Sequence, residues 1–214
     1  MKIQMGLCLT WLIALPTAAF AAFPRPAVVQ QPTEWTLSVQ FQQPRQLSVR
    51  VPGQEKPQRF WYLILTVTNN SDRSAVPFVP KCELVTDTFE VMPAGHRIPK
   101  GVYETIRRKY QGRYPFLESM DFEDNRIHQG PDNTRDFVII WRDFNPTAKE
   151  VNFFIAGMSN ETTVLTHPTR TDEDGNPIRV FLQKTLQLRY KVGADPRQRD
   201  RARLELVEQN WVMR

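Results

Sequence analysis

Between residues 103 and 114 the chain interleaves four cations with three tyrosines: Tyr103, Arg107, Arg108, Lys109, Tyr110, Arg113 and Tyr114. Guanidinium forks grip planar anions, and tyrosine rings accept cations on their faces while keeping a polar tip in water. Together they suit an anionic or sugar-bearing polymer. A solvated helix face accounts for the same residues more simply. A second basic group recurs at every other position, Arg197, Arg199, Arg201 and Arg203, tempered by Asp195 and Asp200.

Other chemistries find little support in the spacing. A zinc site needs convergent ligands, but His96, His128 and His167 are far apart and form no His-x-x-x-His or Cys/His cluster. The run Asp172-Glu173-Asp174-Gly175-Asn176 lacks EF-hand spacing, so it reads as an acidic hairpin turn and not as a calcium loop. No G-x-S-x-G is present to hold an activated serine. The acids Glu118, Asp121, Glu123 and Asp124 lie in one loop, where solvating that loop is a simpler role than paired-carboxylate catalysis. Asn69-Asn70-Ser71 and Asn160-Glu161-Thr162 match glycosylation sequons by chance in a bacterial style of exported chain. These residues predict no catalytic side chain, no metal and no cofactor.

The elements that position these side chains are strands. Residues 60–68 are aromatic and β-branched and end in Asn69-Asn70-Ser71-Asp72, so they read as a strand closed by a turn. Alternation puts Trp61, Leu63, Leu65 and Val67 on one wholly apolar face, and Phe60, Tyr62, Ile64, Thr66 and Thr68 on a half-apolar one. Such a strand belongs at the centre of a sheet. Further strands are expected over 35–41, 46–51, 82–91, 137–141, 151–156, 163–166, 179–191 and 204–213, the last with a bulge. In 179–191, Val180, Leu182, Leu186, Leu188 and Tyr190 share a face with Lys184 out of place, and the other face is polar. Residues 101–111 break the pattern: Val102, Ile106 and Tyr110 recur every four residues, which predicts an amphipathic helix laid across a sheet edge or end. Residues 112–131 read as a long irregular connection. Short strands, Pro-rich turns and one helix predict a mainly β fold, an immunoglobulin-like antiparallel β-sandwich with one short helix.

The segment Tyr62-Leu63-Ile64-Leu65-Thr66-Val67-Thr68-Asn69-Asn70-Ser71-Asp72 resembles the strand-and-turn signature of bacterial secreted immunoglobulin-like domains of the FxLYD type. Phe144-Asn145-Pro146 with Val151-Asn152-Phe153-Phe154-Ile155-Ala156-Gly157 is similar to their return strands. The resemblance covers about a third of the chain, and the 101–131 insertion departs from the small versions of that fold. It implies an exported, non-enzymatic domain and carries over no catalytic residue.

Compartment and partners follow from the rest of the chain. Lys2, an apolar run over 5–15 and Ala19-Phe20-Ala21 form a secretory leader, residues 1–21, too short for a comfortable bilayer span of about 20 residues. Residues 22–33, with Pro24, Pro26 and Pro32, form an extended lead-in, and 34–214 a single β-sandwich domain. Losing the leader removes Cys8 and leaves Cys82 alone, so no internal disulfide is expected and Cys82 is a buried bystander. The net charge of +5, with both signs interspersed, implies mild attraction to anions and not a nucleic-acid platform. The expected role is that of a periplasmic or extracellular protein-interaction module of the cell envelope. A carbohydrate- or polyanion-binding domain using 103–114 is the alternative.

Overall fold

The computed structural model describes residues 33–122, 124–193 and 196–214. The leader, the lead-in up to Pro32, Glu123 and Asp195 lie outside the described residues. In chain order the strands are β1 (Ser38–Phe41), β2 (Arg45–Val49), β3 (Gln58–Thr68), β4 (Ala75–Pro77), β5 (Lys81–Thr86) and β6 (Val91–Pro93), followed by helix α1 (Lys100–Tyr110). Then come β7 (Glu118–Ser119), β8 (Arg126–His128), β9 (Arg135–Arg142), β10 (Glu150–Ala156), β11 (Thr162–Thr171), β12 (Pro177–Gly193) and β13 (Arg203–Met213).

These strands make a β-sandwich. In the first sheet β1 and β2 pair in succession along one edge of β3, β9 pairs along the other, and β7 adds to β9 in parallel. In the second sheet β12 takes β10 and then β11 along one edge and β13 along the other, and β5 and β6 continue beyond β10. Between the sheets lie Trp61, Leu63, Leu65 and Val67 of β3, Phe137, Ile139 and Trp141 of β9, and Leu84, Phe153, Ile155, Leu186, Leu188 and Tyr190 of the second sheet. Burying each such side chain contributes about 1.5–3 kcal/mol.

The half-apolar face of β3 has a structural reason. Phe60, Tyr62 and Ile64 lie under α1 with Val138 and Ile140 of β9, whereas the two threonines fall beyond the helix. There Thr66 donates to Asp136 at 2.6 Å and Thr68 meets Thr134 at 2.8 Å. The helix thus packs on the outer face of the first sheet, through Val102 and Ile106, and not at an edge or end. A face carrying Phe60, Tyr62 and Ile64 must be covered, and this helix is what covers it.

Residues 82–91 also depart from expectation, because one strand becomes the β5–β6 hairpin. Phe89 takes a left-handed conformation (φ 62°), Phe89 N donates to Thr86 O, and Thr86 N to Glu90 O, so the chain reverses over 86–90. The connection over 112–131 is more ordered than an irregular loop. β8 pairs with β4, a strand the sequence pattern does not reveal, and Arg135 gathers the segment. That guanidinium grips Glu118 through two nitrogens, donates to the carbonyls of Asp124 and Arg126, and lies 4.9 Å from the Phe122 ring centre. Glu118 is therefore an ion-pair partner, and the same contact holds the Arg135 pKa above its ordinary value.

At the end of β10, Gly157 (φ 87°) abuts the chain entering β5. A Cβ there would stand 2.6 Å from the Val79 carbonyl oxygen and 2.9 Å from Pro80 Cα, so only glycine fits. The long β12 accommodates its odd residue through an ion pair. Lys184 points to the core face, pairs with Glu161, and lies 5.4 Å from the Trp211 ring centre.

Candidate interaction surfaces

The seven side chains singled out over 103–114 divide by depth. Tyr103, Tyr110 and Tyr114 turn toward the sheet: the Tyr103 hydroxyl donates to Leu117 O at 2.8 Å, that of Tyr110 meets the Tyr62 hydroxyl at 3.2 Å, and Tyr114 is buried. Burial raises the pKa of Tyr103 and Tyr62, so both remain neutral hydrogen-bonding groups. Arg107, Arg108, Lys109 and Arg113 face solvent. The 3.6-residue period separates them, since the face holding Val102, Ile106 and Tyr110 is the one the sheet requires. The tyrosines therefore brace the helix, and the cations are what it displays.

Two further side chains join this basic end, and neither stands out in the sequence. Arg45 of β2 is exposed and lies opposite Tyr62 in the β2–β3 register, which brings it to the C-terminal end of α1. Phe116 is 84% exposed in the turn where Leu117 N donates to Tyr114 O. Only the folded pairing of β2 with β3 reveals Arg45. Phe116 carries a weak signal, an aromatic beside Pro115 in a polar loop.

At the other end of α1 a cleft of about 670 Å³ opens between the helix, the edge of β9 and the β5–β6 hairpin. Its walls include Cys82, Ile98, Pro99, Tyr103, Met120 and Ile140, with Lys81, Glu83, Lys100, Glu104 and Asp121 also lining it. Burial holds the Cys82 thiol well above its ordinary pKa, so it is a protonated, unreactive group.

Of the second basic group, Arg199 turns inward while Arg197, Arg201 and Arg203 stay exposed. It donates to Asp143 at 3.2 Å and stacks with its guanidinium carbon 4.0 Å from the Phe144 ring centre. Both sequon asparagines serve the fold. Asn69 is buried and donates to Arg73 O and Ile127 O, and Asn160 clasps the backbone of Thr33 and Trp35. Among the described residues no three or more His, Cys, Asp or Glu side chains come together as a metal site. Asp172 accepts from Asp174 N and Asn176 N within the β11–β12 turn.

Most of the exposed apolar side chains lie elsewhere. Nine of the 13 exposed large apolar side chains among the described residues fall on β11, β12 and β13. Every residue from 168 to 181 is exposed, so the β11–β12 hairpin projects as an arm past the sandwich. Cross-strand pairing sets Leu165 beside Val180 on the face that carries Leu186 and Leu188 further down β12, and Val164 beside Phe181 on the opposite face. The core face of the second sheet thus runs on into solvent. Among the described residues β11 pairs only with β12, which leaves its other edge open. Val180 and Leu182, aligned with the core residues in the sequence pattern, belong to this extension and not to the core.

No protein-family model matches the chain, no curated protein matches it, and no solved structure matches it. Among the described residues no helix is long and apolar enough to cross a membrane.

Proposed function

We propose that this protein is an exported, non-catalytic β-sandwich that docks a partner protein of the cell envelope through the β11–β12 arm. The observation that carries this reading is the apolar arm itself: Leu165, Ile178 and Val180 on one face and Phe181 on the other are 53%, 36%, 40% and 71% exposed on a hairpin that no other element among the described residues covers. Contiguous exposed apolar surface marks association sites. The open edge of β11 suits an extended partner segment, which would gain main-chain hydrogen bonds from the edge and bury apolar side chains on the arm.

The test places a photo-crosslinking residue at Thr166, on the exposed arm, and irradiates the protein in intact envelopes. One discrete protein adduct is expected. It should persist at high salt, because apolar docking is little screened, and disappear in Val180→Asp/Phe181→Asp. An adduct that survives both substitutions, or none at all, refutes the reading.

A further inference from the structure

We infer that the C-terminal end of α1 is a binding site for an anionic polysaccharide, one that carries carboxylates along a chain of sugars. The site consists of Arg45, Arg108, Lys109, Arg113, Tyr110 and Phe116, with Arg107 at its flank. It shares no residue with the arm and goes beyond the docking role.

Charge is the first argument. Arg45, Arg107, Arg108, Lys109 and Arg113 are all exposed, and none of the ion pairs among the described residues includes any of them. A helix C-terminus attracts cations, but its macrodipole amounts to about half a negative charge, against five positive ones here. On the helix the sole acid is Glu104, and it engages Arg108 only through its backbone carbonyl, at 3.4 Å. The excess charge is left for a ligand.

The second argument is that the cations are held in place. Lys109 Nζ stands 3.5 Å from the Tyr62 hydroxyl, which meets that of Tyr110. Tyr110 and Tyr114 pack with ring centres 6.1 Å apart, and Arg113 lies 5.4 Å from the centre of the Tyr114 ring. A continuous row of contacts thus runs from Tyr62 through Lys109 and Tyr110 to Tyr114 and Arg113, and Arg45 stands opposite Tyr62 in the strand register. Side chains braced in this way lose less rotamer freedom on binding.

Ligand class follows from what surrounds the charge. Arg107, Arg108 and Lys109 are consecutive on the last turn of α1 and so point about 100° apart, Arg113 lies in the turn after the helix, and Arg45 stands on β2, so the cations are spread and do not converge on one point. That spacing fits repeated single charges on a polymer better than one compact phosphate. Guanidinium forks match carboxylates two bonds at a time. Phe116 offers a bare ring face for the apolar side of a sugar, and the Tyr110 hydroxyl, half-buried at the edge, can trade hydrogen bonds with sugar hydroxyls.

The test titrates the protein with three size-matched probes, oligogalacturonate, neutral oligogalactose and linear polyphosphate, at low and raised salt. Oligogalacturonate is expected to bind, with affinity falling as salt rises, and neutral oligogalactose at least about tenfold more weakly. The triple variant Arg45→Gln/Lys109→Gln/Arg113→Gln should weaken oligogalacturonate binding about tenfold or more. Arg170→Gln/Arg179→Gln/Lys191→Gln removes the same charge from exposed positions elsewhere and should change it less than about twofold. Phe116→Ser should weaken oligogalacturonate about fivefold and leave polyphosphate unchanged. Should the first triple lower the thermal midpoint, Arg107→Gln/Arg108→Gln provides the same reading from residues with no contact to the sheet hydroxyls. The inference is overturned if both triples weaken binding equally, if polyphosphate binds more tightly than oligogalacturonate, if the neutral sugar binds as well, or if nothing binds. The arm's own test rests on Val180 and Phe181, which none of these variants alters.

Discussion

Replacing Arg199 tests how the end of the sandwich is closed. The 3-10 segment Pro196–Arg201 crosses that end, and Gln46 ties it down by donating to Asp200 O at 2.7 Å and Ala202 O at 2.9 Å. Arg199 anchors it from within. Its side chain is 8% exposed, donates to Asp143 at 3.2 Å, and lies 4.0 Å and 5.5 Å from the ring centres of Phe144 and Trp61. Asp143 also accepts from Trp61 Nε1 at 2.8 Å and from Arg59 at 3.2 Å, and it is 28% exposed, so loss of Arg199 does not strand the carboxylate. Arg199→Ala loses a desolvated cation–π contact of about 1–2 kcal/mol. It also loses the packing of the aliphatic stem, about 1 kcal/mol, and a partly screened charged hydrogen bond of about 1 kcal/mol. The expected cost is about 3 kcal/mol, or about 6–12 °C in thermal midpoint for a chain of this size. Arg199→Met keeps most of the packing but loses the charge, so it should cost about 2 kcal/mol, about 1 kcal/mol less than alanine. Urea unfolding followed by the fluorescence of the buried Trp61 and Trp141 measures both. If methionine is as costly as alanine, the ion pair and not the packing closes the sandwich, and the reasoning fails.

Two other perturbations bear on the fold. Gly157→Ala combines a left-handed backbone with a Cβ 2.6 Å from the Val79 carbonyl and should cost about 3 kcal/mol, whereas Gly175→Ala (φ 82°, open space) should cost only about 1 kcal/mol; equal values by urea unfolding would refute the close approach. Burial raises Tyr62, Tyr103 and Tyr190 above their ordinary pKa of 10.0 and Cys82 above 9.0, so the folded state holds these protons more tightly than the unfolded one. Their stabilisation is complete below pH 9. It should decline above pH 10 as unfolding releases protons, by up to about 1.4 kcal/mol per pH unit for each of Tyr62, Tyr190 and Cys82, the more exposed Tyr103 adding less. Tyr190 OH makes no hydrogen bond among the described residues, so Tyr190→Phe should flatten that decline and add about 1 kcal/mol at neutral pH; a loss of stability there would refute this account.

Where period and composition agreed, the fold was legible. β3 announces itself because all of its residues from Phe60 to Leu65 are buried, on both faces. The helix shows through Val102 and Ile106, which the sheet requires at that spacing. The strands that escaped are those whose existence depends on a distant partner. β4 has three residues and pairs with β8 more than 45 positions later, and β7 has only two residues on the edge of β9. The position of α1 was misread because alternation reveals that a face is apolar, not what covers it. For the candidate sites, sequence supplied the cations on the helix but not their neighbours. Arg45 reaches them through strand pairing, and the tyrosines beside them turn inward. The period that identifies a strand also runs straight past the point where its sheet loses its cover, so Val180 and Leu186 look alike in sequence and differ in burial.

The surfaces left free are set by how each layer is covered. The outer face of the first sheet is occupied by α1, so whatever that layer offers to a ligand must lie on the helix or at its ends. The outer face of the second sheet is polar and locally paired, with Arg189 to Glu208 at 3.0 Å and Arg214 to Glu83 at 2.8 Å, and it has little to offer an apolar partner. Among the described residues exposed apolar side chains then gather where the second sheet outruns the first, on the arm and on β13, while Phe89 and Phe116 stand singly in turns. On the first layer the basic cluster collects where the helix ends, because along its length the inward face is apolar and its tyrosine hydroxyls are bonded to the sheet and the following loop. The basic end of α1 and the arm belong to different layers and share no side chain. Each can therefore be altered without disturbing the other, and a chain lacking either site should retain the same core and the same fold.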